Sequence, residues 1–181
     1  LLWHNTTANQ MIYWSMNGRI ATPSAGFAMP GWYDIIAVGD FNADGFSDVA
    51  YASASDVNLY VNNAGTSFGG RFLAYRPAGW TLLGAADSNG DRSSDLYWRN
   101  DANGTLTYWA ISASSVVSTH TYTPSQVLTF AAFGDYNGDG RADILWNRAE
   151  WRQLSMWTSQ SSGNYLAAVV GYYPAGWAVV R

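Results

Sequence analysis

The chain has no cysteine and no lysine, and its single glutamate is Glu150. Without cysteine there is neither a disulfide framework nor a Cys-ligated zinc site, and cysteine-stapled Asp-rich calcium modules are excluded with them. All nine cationic residues are Arg, scattered without a basic stripe, so the charge pattern argues against nucleic acid as a partner. One Glu rules out a Glu pair for glycoside cleavage. An Asp pair would have to draw on Asp34, Asp56 or Asp101. No apolar run approaches the 18 or so residues of a membrane span. No signal peptide is visible and the first residue is not Met, so the chain is expected to be processed, excised from something longer or incompletely known. No stretch carries a helical stripe with caps.

Aromatic residues, in contrast, are abundant: 16% of the 181 residues, against 12% charged. That balance suits one β-domain with Trp-filled internal layers. Nine of the thirteen acidic residues fall in three short stretches. These are Asp40-Phe-Asn-Ala-Asp-Gly-Phe-Ser-Asp48, Asp87-Ser-Asn-Gly-Asp-Arg-Ser-Ser-Asp95 and Asp135-Tyr-Asn-Gly-Asp-Gly-Arg-Ala-Asp143. Each reads D-x-N-x-D-x-x-x-D, with side-chain oxygens at positions 1, 3, 5 and 9. A hard cation such as Ca²⁺ takes about six to eight oxygens. The expected side-chain ligands are Asp40, Asn42, Asp44 and Asp48; Asp87, Asn89, Asp91 and Asp95; and Asp135, Asn137, Asp139 and Asp143. At position 7, Phe46, Ser93 and Arg141 would each add a backbone carbonyl. These are not EF-hands, because position 12 holds Tyr51, Trp98 and Trp146 where a bidentate Glu is needed. Three carboxylates in nine residues repel one another, so the metal is expected to be structural.

The motifs also set a period. Their first Asp residues stand at 40, 87 and 135, and the apolar runs behind them end in Tyr51, Trp98 and Trp146. Leu1-Leu-Trp3 is the same run without its loop. Eleven residues further on come Trp14, Trp109 and Trp157. Pro30-Gly-Trp32, Pro77-Ala-Gly-Trp80 and Pro174-Ala-Gly-Trp177 form another set. Periods of about 20–50 residues mark repeat architectures. Here the approximate repeats are 1–47, 48–94, 95–142 and 143–181 of a single domain covering 1–181. Aligning the two ends leaves only the equivalent of residues 85–95 between them. The chain therefore begins on strand two of one unit and ends on strand one of another.

Each unit reads as four short strands. Around the second loop they are Leu82–Ala86, Asp95–Arg99, Thr105–Ile111 and Val117–Tyr122, separated by the acidic loop, Asn103-Gly104 and Ser112–Ser115. Four strands per unit of this length predict an all-β fold, a β-propeller of four-stranded blades, with the last strand available to complete the first blade. Four blades closing alone, two chains completing an eight-bladed ring and a segment of a longer propeller all fit the sequence.

Gly39-Asp40-Phe-Asn-Ala-Asp-Gly-Phe-Ser-Asp-Val-Ala-Tyr51 and Gly134-Asp135-Tyr-Asn-Gly-Asp-Gly-Arg-Ala-Asp-Ile-Leu-Trp146 resemble the FG-GAP or VCBS repeat of integrin α-subunit-like β-propellers. The resemblance implies calcium, about three ions, in the hairpins between strands one and two, and an extracellular or cell-surface setting. Family members serve as adhesion domains, lectins and propellers attached to secreted enzymes, so fold is better fixed than function. Two features depart from the pattern. Arg92 stands where position 6 is usually Gly, and four repeats are fewer than the seven or so blades usual in the family.

Catalytic signals are few. Gly65-Thr-Ser-Phe-Gly69 matches a nucleophile-elbow pattern, but that motif needs a strand before it and a helix after it. His4 and His120 have no partner evident in the sequence. The expectation is a non-enzymatic binding module for glycans or an extracellular protein partner, without a membrane span and with a homo-oligomer open. Trp32, Trp80 and Trp177 are candidates for stacking on a sugar ring. Its rivals are an accessory propeller of a larger secreted hydrolase, lyase or peptidase, and an architectural assembly subunit.

Overall fold

A computed structural model describes residues 1–24, 26–31, 33–125 and 127–179. It is all-β, with four four-stranded antiparallel sheets. Sheet one holds β1 (Leu2–Asn5), β2 (Gln10–Asn17), β3 (Ile20–Pro23) and β4 (Phe27–Ala28). Sheet two holds β5 (Asp34–Gly39), β6 (Asp48–Ala52), β7 (Asp56–Asn62) and β8 (Phe68–Tyr75). Sheet three holds β9 (Trp80–Ala86), β10 (Asp95–Asn100), β11 (Leu106–Ser112) and β12 (Ser115–Tyr122). Sheet four holds β13 (Thr129–Gly134), β14 (Asp143–Arg148), β15 (Gln153–Ser159) and β16 (Tyr165–Tyr172). Sheets two to four are plain meanders in chain order.

The expected strands of the second unit all form, with ends displaced by a residue or two. β9 starts earlier because Trp80 still pairs with Asn100. β11 runs to Ser112 because a bulge after Ala110 lets Ser112 pair with Ser115. Sheet one is built differently. Its outer lane is broken, with β3 pairing the far half of β2 and β4 the near half. Its other edge is β1, whose ladder runs to β2 alone among the described residues. Trp177–Val179, expected to begin a completing strand there, are not in a strand. The rest of that segment, Val180 and Arg181, lies outside the described residues.

Period-two alternation decides which way each sheet is packed. In β10, Leu96 and Trp98 face sheet two while Tyr97 faces sheet four. In β6, Ala50 and Ala52 face sheet three while Val49 and Tyr51 face sheet one. Three core clusters result, at the one–two, two–three and three–four junctions. The periodic aromatics fill them. Trp98 and Trp146 are fully buried, with Trp109 nearly so. Trp98 meets Trp109 with ring centroids 5.0 Å apart, and Trp146 meets Trp157 at 5.4 Å, tilted contacts of the kind aromatic pairs favour.

Candidate metal loops and their anchoring

Each acidic motif is the hairpin loop from the first to the second strand of its sheet. The residue before position 1 pairs with position 9 to close it: Gly39 with Asp48, Ala86 with Asp95, Gly134 with Asp143. Positions 4 and 6 are left-handed in all three loops. They are Ala43 and Gly45 (φ 61° and 86°), Gly90 and Arg92 (79° and 74°), and Gly138 and Gly140 (77° and 82°). Two successive excursions of this kind coil the backbone so that its N–H groups point inward. In the first loop the Asp40 carboxylate accepts from Asp44 and Gly45, and Asp44 accepts from Phe46. In the second, Asp87 accepts from Gly90 and Arg92, and Asp91 from Ser93. In the third, Asp135 accepts from Gly138, Asp139 and Gly140, and Asp139 from Arg141. The position 3 amide donates to the position 5 carboxylate in every case, at 2.9, 3.3 and 3.1 Å.

Position 9 is different. Asp48, Asp95 and Asp143 are completely buried. One oxygen of each accepts the N–H of position 2, from Phe41, Ser88 and Tyr136 at 2.8, 3.1 and 3.1 Å. The other oxygen reaches the third strand of the same sheet or its end, accepting from Asn62, Ile111 and Ser159 at 2.8, 2.8 and 2.9 Å. The Ser88 hydroxyl also donates to Asp95. Burial pushes the Asp95 carboxyl up to about 6, against the pull of the Ser88 and Ile111 hydrogen bonds. Burial raises Asp48 as well, opposed by Asn62 and Phe41 and helped by the neighbouring Asp44 and Asp40 charges. At Asp139 some desolvation works against ionisation. The Arg141 N–H, the Asn137 amide and the Arg141 charge outweigh it and hold the carboxyl low. The Arg141 guanidinium lies 2.5 Å from that carboxylate.

The loops are tied together along one rim. Ser94 donates its N–H to the Asp40 carbonyl and Ala142 donates to the Asp87 carbonyl, both at 2.6 Å. Thus position 8 of the second and third loops holds position 1 of the loop before it. A second tie runs from Ser114 N–H to the Phe41 carbonyl and from the Ser159 hydroxyl to the Ser88 carbonyl. The approach is close enough that a Cβ on Gly39 would stand 2.6 Å from the Ser94 hydroxyl.

The donor set is oxygen throughout, which suits a hard cation. Among the described residues, however, no three His, Cys, Asp or Glu side chains gather around one point as a metal group. A cation would draw on the position 1 and 5 carboxylates, the position 3 amide oxygen and the position 7 carbonyl. Position 9 would join through lone pairs left over from its hydrogen bonds, since each carboxylate oxygen has two. The loops fit a hard cation on those terms, with their backbone already coiled.

The tryptophan candidates for ligand stacking separate. Trp80 packs against the two–three core, so its face is engaged by protein. Trp177 is 72% exposed. Trp32 lies outside the described residues. Another exposed tryptophan, Trp151, went unremarked in the sequence because it follows no periodic turn. It sits on a 3₁₀ turn between β14 and β15 under the Arg148 guanidinium, 4.3 Å from its ring centre, beside a cleft of about 280 Å³. Ser67 of the nucleophile-like motif lies in the β7–β8 hairpin, without a following helix, and its hydroxyl accepts from the Asn63 amide. His4 contacts Asn9, and His120 stacks on Tyr108 and meets Ser118. Among the described residues no helix is long and apolar enough to cross a membrane.

No curated protein matches the chain. Residues 40–98, from the start of the first acidic loop through the second to Trp98, match the family model for the FG-GAP-like repeat, so this stretch is similar to that repeat.

Proposed function

We propose that this propeller module binds calcium in its three acidic loops and serves as an extracellular recognition module for a glycan or a protein partner. The observation that carries the metal reading is the triple recurrence of one loop conformation around an oxygen-only donor set. Polar turns of ordinary function have no reason to hold positions 4 and 6 left-handed three times, twice with a residue other than Gly. Ca²⁺ is favoured over Mg²⁺ because the loop offers many oxygens on a flexible backbone and Mg²⁺ gives up its waters reluctantly. The ion would neutralise carboxylates on a rim whose loops are linked to one another, and so stiffen the surface the module presents.

Isothermal titration of the metal-free chain with CaCl₂ tests the metal, with about three sites expected. Failure to bind at millimolar calcium would sink that reading. A glycan array probed in calcium and again after EDTA tests recognition. Specific binding lost with EDTA supports a lectin-like module. An empty array from folded, calcium-loaded protein moves the partner to a protein surface.

A further inference from the structure

Positions 7 and 8 of a loop share one peptide plane, and in a trans peptide the C=O and the N–H point in opposite directions. In the second loop that plane joins Ser93 to Ser94. Its C=O is the position 7 oxygen of loop two, while its N–H donates to the Asp40 carbonyl of loop one at 2.6 Å. The third loop repeats the arrangement. The Arg141–Ala142 plane carries the position 7 oxygen of loop three, and its N–H donates to the Asp87 carbonyl of loop two, again at 2.6 Å. At each seam one rigid group therefore belongs to two loops.

The receiving side is as specific. The Asp40 carbonyl shares its own plane with the Phe41 N–H, which donates to Asp48 at 2.8 Å. The Asp87 carbonyl shares its plane with the Ser88 N–H, which donates to Asp95 at 3.1 Å. Two peptides in series thus run from the position 7 carbonyl of one loop to the position 9 carboxylate of the loop before it. Both ends of the series are oxygens that a cation would use. The first seam is also tightly packed, since a Cβ on Gly39 would stand 2.6 Å from the Ser94 hydroxyl and 2.7 Å from the Ser94 Cβ.

We propose that the three loops bind calcium cooperatively, each filled loop raising the affinity of its neighbours through these peptide pairs. The proposal rests on the metal reading above and adds how the sites act on one another. A cation on the Ser93 carbonyl fixes the plane of that peptide. With it is fixed the donor that holds Asp40, the residue around which loop one coils. Part of the ordering of loop one is then complete before its own cation arrives, so that cation binds more tightly. Linkage makes the effect reciprocal. Charge opposes it, because a filled loop is two units less negative. Exposed charges are screened beyond about 8 Å at 0.15 M salt, whereas the peptide contact is direct, and the contact is the larger effect.

The test is calorimetric titration with CaCl₂ at 0.15 M salt on chains with one loop disabled. Asp139→Ala leaves loops one and two, which are neighbours. Asp91→Ala leaves loops one and three, which are not. The neighbours should fill with a Hill coefficient above 1. The separated pair should fill independently, and about fivefold or more weakly than in the unsubstituted chain, the low end of ordinary coupling. Gly39→Ala in the Asp139→Ala chain alters no candidate oxygen but forces loops one and two apart. It should abolish the cooperativity while both sites still fill. If that variant fails to fold, amide exchange in the unsubstituted chain decides, with the Ser94 and Ala142 N–H groups expected to exchange severalfold more slowly in calcium than in EDTA. Independent sites, equal behaviour of neighbouring and separated pairs, or amides indifferent to calcium would overturn the proposal and leave the metal reading standing. An unsubstituted chain that binds no calcium would sink both.

Discussion

Asp91 and Asp95 stand four residues apart in one motif, yet Asp91 is exposed and caps a single loop N–H, while Asp95 is fully buried and bonded to Ser88 and Ile111. The same division recurs between Asp44 and Asp48 and between Asp139 and Asp143. Positions 1 to 5 coil the loop and offer oxygens. Position 9 holds the loop onto the second and third strands of its sheet. A spacing pattern that treats the four oxygens as equals therefore merges two physical tasks, and the tasks come apart on substitution.

The largest effect should come from Asp95→Ala. It leaves the N–H groups of Ser88 and Ile111 and the Ser88 hydroxyl without their acceptor in a buried place. Each buried unsatisfied group costs about 1–3 kcal/mol, so a loss of about 3 kcal/mol or more is expected, whether or not calcium is present. In a domain of this size that lowers Tm by about 6–12 °C. Differential scanning calorimetry in EDTA reads it directly. A variant that melts with the wild type in EDTA would show that position 9 is a ligand and nothing more.

Asp91→Ala should behave in the opposite way. In EDTA its cost is about 1 kcal/mol, because one part-buried N–H loses its acceptor where Asp95→Ala strands three buried donors. In calcium at a hundredfold excess over Kd the wild type gains about 2.7 kcal/mol per site, and the variant forfeits one site's share. Chelation of the wild type should remove all of that increment. Equal melting of wild type and Asp91→Ala in calcium as well as in EDTA would dismiss the second loop as a metal site.

Much of this was legible in the sequence, and the parts that were not have physical reasons. β-branched and aromatic runs punctuated by Asp, Asn and Gly located the strands, because turn chemistry and pleat preference are local. Period-two alternation does not name the neighbour, so the half-burial of Trp80 and the exposure of Trp177 after identical Pro-Ala-Gly turns were not readable. What differs is that a sheet lies against one and nothing described lies against the other. The anchoring role of Asp48, Asp95 and Asp143 was hidden for a similar reason. Its partners Asn62, Ile111 and Ser159 lie 14 to 16 residues downstream, on the third strand. The left-handed backbone at Ala43 has no Gly in the sequence to signal it.

That last point sharpens the comparison within the coiled half. The third loop has Gly at both left-handed positions, whereas the first has Ala43 and the second Arg92. An L-residue in this conformation costs about 1–2 kcal/mol relative to one that avoids it, and Gly removes the steric part. Ala43→Gly and Arg92→Gly should each leave the chain equally or more stable, by up to about 1 kcal/mol. Gly140→Ala should cost about 1 kcal/mol through φ alone, since its Cβ would meet nothing within 4 Å. Urea midpoints in EDTA measure all three. Destabilisation by Arg92→Gly would mean that the Arg side chain contributes more than its backbone strain costs.

The smallest effect belongs to a carboxylate outside the motifs. Asp56 closes the β6–β7 hairpin, accepting from Ser53 and, at 2.7 Å each, from the Tyr33 hydroxyl and the Asn58 amide. These bonds hold its carboxyl down at about 2, below the ordinary 3.8. A depressed native pKa means the unfolded chain takes up the proton first as pH falls. The stabilisation is therefore complete above about pH 4 and is lost between there and about pH 2. Asp56→Ala should melt below the wild type at pH 7, and the gap should narrow as the pH is lowered through that window. Asp56 ionises without a metal loop around it, so the same narrowing should survive EDTA. A gap that widens toward pH 2 would mean that the hydroxyl and amide donors bind the protonated acid better than the carboxylate.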